Sequence, residues 1–95
     1  MKSKNHLKNV ASKPCMICGS REVQAHHLLR ASPRGMAKKT GDEWAVPLCF
    51  IHHEALHLNG DEIEFFEIHG WEYEQVKNLA KELWIFSNAK QRTVF

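Results

Sequence analysis

Residues that can bind metals are concentrated in the short segment from Cys49 to His57. Cys49 and His52 stand in a C-x2-H spacing, which suits one half of a tetrahedral zinc site. His53 and His57 are four residues apart, a spacing that places two imidazoles one turn apart on the same face of a helix. The segment therefore predicts parts of two metal sites, each of which needs partners from elsewhere in the chain.

Two upstream cysteines supply the partners for the first site. Cys15 and Cys18 form a C-x2-C pair, and three cysteines in total cannot all pair in internal disulfides. Zinc takes four nitrogen or sulfur ligands tetrahedrally, and a site with all four filled by protein is structural. We therefore predict structural Zn²⁺ held by Cys15, Cys18, Cys49 and His52. Reduced, metal-binding cysteines favour a cytosolic compartment.

The adjacent pair His26 and His27 supplies the second site. Neighbouring side chains of a strand point to opposite sides, so both imidazoles cannot easily bind one ion. His26 with His53 and His57 would leave coordination positions open, as metal catalysis requires. Three imidazoles suit Zn, Ni, Co or Mn better than Mg, although phosphate and water oxygens could shift this preference. His27 is then a candidate general base, because imidazole is the side chain most often used for proton transfer near neutral pH.

The elements that must position these residues predict a small α+β domain. Apolar periodicity, turn residues and capping signals divide the chain into a few short elements. They are a strand over Glu22–Leu29, a strand over Trp44–Leu48, a helix over Phe50–Leu58, a helix from the N-cap Asp61 to about His69 and an amphipathic helix over Glu72–Phe86. Residues 1–13 are predicted to be a mobile basic arm, residues 14–87 the domain and residues 88–95 a tail.

Charge is distributed unevenly along the chain. The net charge is +2, but residues 1–39 carry nine basic residues and one acid, whereas residues 40–95 are net acidic. A basic half predicts a polyanionic partner, most simply nucleic acid. Phosphate contacts are expected from the loop over residues 30–41, through Arg30, Arg34, Lys38 and Lys39. No window approaches the roughly 18 apolar residues of a membrane span, and no signal peptide is expected.

The order of motifs resembles the HNH endonucleases, also called His-Me finger or ββα-metal nucleases, and is closest to their small phage and prophage members. The shared pattern is Cys-x2-Cys, Ala-His-His, a Gly/Lys loop and Pro-Leu-Cys-x2-His-His-x3-His, over about residues 14–58. The resemblance implies a zinc-stabilised treble-clef ββα-metal finger followed by C-terminal helices. It also implies hydrolysis of DNA phosphodiester bonds in the cytoplasm of a bacterial host.

Carried over by position, the resemblance assigns a role to each histidine of the pattern. His26, His53 and His57 would bind the catalytic divalent metal, and His27 would activate the attacking water. The family's middle Asn, which orients this base, falls near Trp44, where this chain has none. Asp42 or a neighbouring backbone group is the expected replacement.

Two functions without catalysis are the alternatives to a nuclease. One is a zinc finger that binds nucleic acid, which would need only the three cysteines and His52. The other is a zinc-stabilised adaptor that binds a partner through its C-terminal helix. Target preference, the choice between single-stranded and duplex DNA, and oligomeric state are left open by the sequence.

Overall fold

Two antiparallel strands and four helices form the part of the chain that the computed structural model describes, residues 4–29 and 41–92. The α+β class predicted from the sequence is confirmed. The elements are α1 (Lys4–Ala11), β1 (Val23–His27), a single 3₁₀ turn (Asp42–Trp44), β2 (Ala45–Cys49), α2 (Phe50–Asn59), α3 (Glu62–Ile68) and α4 (Tyr73–Arg92). Side chains are described as far as Ser87.

The register of the sheet brings the upstream histidines beside the downstream metal-binding segment. β1 pairs with β2 so that Val23 lies opposite Cys49 and His26 lies opposite Val46. All five residues of β2 are buried, and three helices, α1, α2 and α4, contact this strand. Pro47 is tolerated there because, among the described residues, β2 pairs with a strand on one side only.

Helix α2 begins and ends where local chemistry requires. The Cys49 side chain accepts a hydrogen bond from the backbone N–H of His52, so a metal-binding residue is also the N-cap. At the other end Gly60 adopts a left-handed conformation (φ +83°) and donates its N–H to the carbonyl of Leu56. This conformation is unfavourable for residues with a Cβ, so the Asn59-Gly60 stop predicted from the sequence is confirmed.

The core lies between the sheet and the helices that follow it. Its buried side chains come from β2, α2, α3 and α4, together with Cys15 before β1 and the residue that follows β1. The largest of them are Leu28, Val46, Leu48, Leu56, Phe65, Phe66 and Val76. Because α3 and α4 complete this core, they hold the sheet and α2 in their relative positions.

The N-terminal segment is not the mobile arm that we predicted. Lys4–Ala11 forms α1, which packs against both strands and α4. His6 and Val10 are four residues apart and lie on one face, and both are buried. The His6 Nδ1 and the Ser87 Oγ are 2.8 Å apart, which joins the two ends of the described chain. The prediction failed because the contacts that dock α1, among them those of His6 and Asn9 with Ser87 and of His6 with Trp84, join residues that are far apart in the sequence.

The C-terminal tail predicted from residue 88 onward is also wrong in part, because α4 continues to Arg92. None of the described helices is long and apolar enough to cross a membrane.

Docking of α1 should make stability depend on the charge of His6. Burial lowers the pKa of His6, and the carboxylates of Asp42 and Glu43 offset only part of this effect. The folded chain therefore favours the neutral imidazole, whereas the unfolded chain takes up a proton near pH 6.5. The contribution of neutral His6 is fully present above the unfolded-state pKa and is lost as the pH falls through the folded-state pKa.

We expect His6→Gln, which cannot titrate, to be less stable than the wild type near neutral pH but to lose stability less steeply on acidification. The measurement is urea unfolding of both proteins between about pH 7.5 and pH 5. Parallel pH profiles for the two proteins would contradict the assignment.

Candidate metal centres

The three cysteines and His52 converge in one cluster, with all four candidate ligand atoms within 4.8 Å of one another. The Sγ atoms of Cys18 and Cys49 are 3.7 Å apart, and the Nδ1 of His52 lies 3.2 Å from Cys49 Sγ and 3.9 Å from Cys15 Sγ. Tetrahedral zinc with ordinary bond lengths separates its ligand atoms by about 3.3 to 3.8 Å. The cluster therefore has the composition and size to hold a metal such as zinc.

Backbone hydrogen bonds shape the turn that carries the first two cysteines. Cys15 donates its N–H to the carbonyl of Ser20, and Gly19 donates its N–H to the carbonyl of Cys15. Gly19 has a φ of +80°, which this turn requires and which a residue with a Cβ rarely adopts. Met16 donates its N–H to the carbonyl of Pro47, and this bond attaches the turn to β2.

Electrostatics favour the metal-binding form of Cys15. Burial raises the pKa of its thiol, but hydrogen bonds from the backbone N–H groups of Cys18, Cys49 and Ile17 lower the pKa and outweigh burial. Thiolates, not thiols, bind metals. Backbone amides from the turn and from the end of β2 therefore favour the thiolate of Cys15.

His26, His53 and His57 converge in a second cluster, whose candidate ligand atoms again lie within 4.8 Å of one another. His26 comes from β1, and the other two come from successive turns of α2. The His26 Nδ1 and the His53 Nε2 are 3.1 Å apart, close to the separation of about 3.3 Å expected for two imidazoles on one tetrahedral ion. These three side chains could therefore hold a divalent metal.

The remaining nitrogens of two of these imidazoles have oxygen partners. The His26 Nε2 lies 2.8 Å from Glu62 Oε1, and the His53 Nδ1 lies 2.7 Å from Gln24 Oε1. Both oxygens accept, so these nitrogens carry the protons, and the opposite nitrogens face the cluster with free lone pairs. Such partners fix the tautomer and the ring orientation of histidines that bind metals. Burial, together with the charges of His26 and His57, also lowers the pKa of His53, which favours its neutral, ligating form.

Glu62 is a partner of the histidine cluster that the sequence analysis missed. Its carboxylate is buried, and its Oε1 also accepts the backbone N–H of Leu29, at 3.1 Å. Its Oε2 accepts a hydrogen bond from the Tyr73 hydroxyl at the start of α4. In this region the sequence analysis predicted only that Asp61 caps α3. That prediction is confirmed, because the Asp61 side chain accepts the backbone N–H of Glu64. No local spacing signals a contact between residues 26 and 62.

His27 lies outside the histidine cluster, as strand alternation predicts. Its Nε2 is 2.7 Å from the Asp42 Oδ1, and its side chain is 36% exposed. Asp42 was one of the predicted orienting groups, and the structure brings its carboxylate to His27. The predicted phosphate contacts Arg30, Arg34, Lys38 and Lys39 lie outside the described residues.

The first cluster should contribute directly to folding. We expect Cys18→Ser to lose one bound zinc ion and most cooperative unfolding, because the roughly 10–16 kcal/mol of binding free energy in such sites acts as folding free energy. Zinc content and a thermal melt of the purified protein measure both effects. His53→Ala is the control and should retain this zinc. A Cys18→Ser protein with full zinc content and the parent melting curve would contradict the assignment.

Glu62 should set the metal affinity of the second cluster. We expect Glu62→Gln to weaken this affinity by about 10- to 100-fold, the usual effect of losing an outer partner of a ligating histidine. Tyr73→Phe should weaken it less, since one hydrogen bond to the carboxylate is lost rather than its charge. Calorimetric titration with Zn²⁺ or Co²⁺ measures the affinity while the zinc of the first cluster is retained. Glu64→Gln, an exposed change in the same helix, is the matched control, and equal affinities in the two Gln variants would exclude the role.

Comparison with known proteins identifies a family but no solved structure, since none matches the chain. The uncharacterized protein YdfU of Escherichia coli strain K12 is 34% identical over 67 residues. The match covers 70% of this chain but 19% of YdfU, so the chain spans about a fifth of the length of that relative. A family model described as protein of unknown function (DUF968) matches residues 1–84. The chain therefore belongs to the DUF968 family.

Proposed function

We propose that this chain is a metal-dependent endonuclease that hydrolyses DNA phosphodiester bonds through a zinc-stabilised treble-clef ββα-metal finger. The observation that carries the proposal is that one helix, α2, contributes candidate ligands to two separate clusters. One cluster has four protein ligands and leaves no position for a substrate. The other has three imidazoles, with a fourth histidine, His27, next to one of them in the chain. Closed sites of the first kind are structural, and open sites of the second kind are catalytic.

The residues of the histidine cluster fit a divalent ion well. The donors are neutral nitrogens, two of which are oriented by Glu62 and Gln24. Nitrogen donors suit Zn, Ni, Co or Mn better than Mg, which prefers oxygen. A groove of about 410 Å³ opens beside His53 and His57, so a substrate has access to the ligands on α2. An ion held there would act as a Lewis acid on the scissile phosphate.

His27 is proposed to remove the proton from the attacking water. Asp42 engages Nε2 of His27, so Nδ1 is the nitrogen at which the proton would be taken up. The carboxylate both orients the ring and stabilises the imidazolium that forms, as a general base requires. This side-chain contact would take the role that the middle Asn of the HNH nucleases performs through its backbone.

The substrate assignment rests on charge. Residues 1–39 are strongly basic, and Arg30, Arg34, Lys38 and Lys39 are proposed to contact phosphates without reading sequence. The remaining proposals, of a phage or prophage nuclease acting in the bacterial cytoplasm, rest on the resemblance of the motifs.

A zinc finger that only binds nucleic acid is the weaker candidate. It gives no reason for a second histidine cluster with its own buried carboxylate.

Two histidine variants separate the general base from a metal ligand. We expect His53→Ala to lose metal affinity in the histidine cluster and activity together. His27→Ala should retain both metals, the fold and DNA binding, yet cleave about 10²- to 10⁴-fold more slowly, the usual contribution of general-base catalysis. Asp42→Asn should reduce the rate in the same direction without loss of metal.

The measurement is single-turnover cleavage of plasmid DNA at saturating metal, with metal titration of each variant by calorimetry. Nicking by the wild type that persists in excess chelator would refute metal dependence. Normal cleavage by His27→Ala, or loss of its metal, would remove His27 as the base. DNA binding by the wild type without cleavage under any of the metals would favour the zinc-finger alternative.

A further inference from the structure

One face of α2 combines metal-binding and apolar side chains. Phe50, His53, Glu54 and His57 follow the i, i+3, i+4, i+7 spacing that aligns residues along a single helix face. Together with Ile51 and with Gln24 of β1, they line the groove of about 410 Å³. Any molecule that reaches the histidine cluster through this groove therefore passes the first turn of α2.

That first turn is unusually apolar for an exposed surface. Phe50 is 55% exposed and Ile51 is 77% exposed, whereas Leu56 on the opposite side of α2 is buried at 3%. Single exposed apolar residues are common, but adjacent ones that line a groove beside polar ligands are typical of binding sites. Leu58 of the same helix is also exposed, but Phe50 and Ile51 differ from it in lining a groove beside the histidine ligands.

The charges of the groove restrict the partner. Glu54 is exposed in the groove wall, and its carboxylate repels a phosphate but accepts hydrogen bonds from an amino group. The Phe50 ring offers a face for stacking, at about 4.5 Å along the helix axis from His53. A flat ring system with an exocyclic amine matches both features, and three DNA bases, adenine, cytosine and guanine, carry one on their pairing edge, whereas thymine has none.

We propose that this groove receives an unstacked base with an exocyclic amine (adenine, cytosine or guanine) of the DNA strand that is cut, packed on Phe50 and Ile51 beside Glu54. The inference rests on the proposed function and adds to it. It places a base next to the scissile phosphate, on which a metal in the histidine cluster would act. In a duplex the faces of each base are covered by its neighbours, so an unpaired nucleotide enters at lower cost. The substrate class is therefore DNA with an unpaired base beside the scissile phosphate.

The experiment uses short DNA strands with 2-aminopurine, whose fluorescence increases when it leaves the base stack. We expect the wild type to increase this fluorescence on mixing and to cleave next to an unpaired site faster than within a full duplex. Phe50→Ala should raise the protein concentration needed for half-maximal single-turnover rate by about 5- to 150-fold, which corresponds to base–aromatic stacking. Ile51→Ala should have a smaller effect in the same direction.

Two controls decide between a base and any other occupant. Leu58→Ala, an exposed change near the other end of α2 and outside the groove, should behave like the wild type. Replacing the unpaired nucleotide with an abasic one should weaken the wild type by at least the factor seen for Phe50→Ala, and should weaken Phe50→Ala much less because the stacking contact is already lost. An abasic effect that is equally large in both proteins, or equal use of duplex and unpaired DNA, would overturn the inference.

The two proposals fail in different ways. If the wild type cleaves DNA with and without the unpaired base equally well, the groove has another occupant. The base-binding proposal is then wrong and the nuclease proposal stands. If the base-dependent fluorescence is present but no divalent metal supports cleavage, the groove binds as proposed and the nuclease function falls instead. If neither base-dependent binding nor cleavage is found, the groove does not bind DNA bases and both proposals fall.

Discussion

The structure depends most on one helical turn that contributes to two clusters at once. His52 points into the cysteine cluster, and His53, the next residue, points into the histidine cluster. Consecutive side chains on a helix are separated by about 100° around its axis. The two histidines can therefore reach their clusters together only when α2 has one orientation about its axis relative to the sheet. Cys49 strengthens this constraint, because it is a member of the first cluster, the end of β2 and the N-cap of α2. A change that rotates α2 would therefore disturb both clusters together.

The C-terminal helices are part of the histidine cluster as well as of the core. Glu62 of α3 and Tyr73 of α4 form a chain of hydrogen bonds that ends on His26. A buried carboxylate is unfavourable unless it is paired, and here an imidazole, a backbone N–H and a hydroxyl satisfy it. The same contacts that stabilise the buried charge hold the imidazole in one orientation. Packing of α3 and α4 and the geometry of the cluster are consequently coupled.

Local chemistry in the sequence determined the types and spacings of the candidate ligands, the α+β class and the positions of most helices and strands. A C-x2-C pair, a C-x2-H pair and histidines four apart are contacts between near neighbours, so they follow from backbone geometry alone. The ends of α2 were likewise predictable, because Gly60 and the Asn before it act on the backbone beside them.

Tertiary structure decided the contacts between residues that are distant in the chain. Glu62 reaches His26 across 36 positions and His6 reaches Ser87 across 81, and neither pair has a spacing that signals the contact. Charge and low apolar content suggested a mobile arm for residues 1–13, yet α1 is docked, with His6 and Val10 buried. The orientation of each imidazole is also a tertiary property. It depends on which oxygen, from Glu62 or another element, packs against the second nitrogen of the ring.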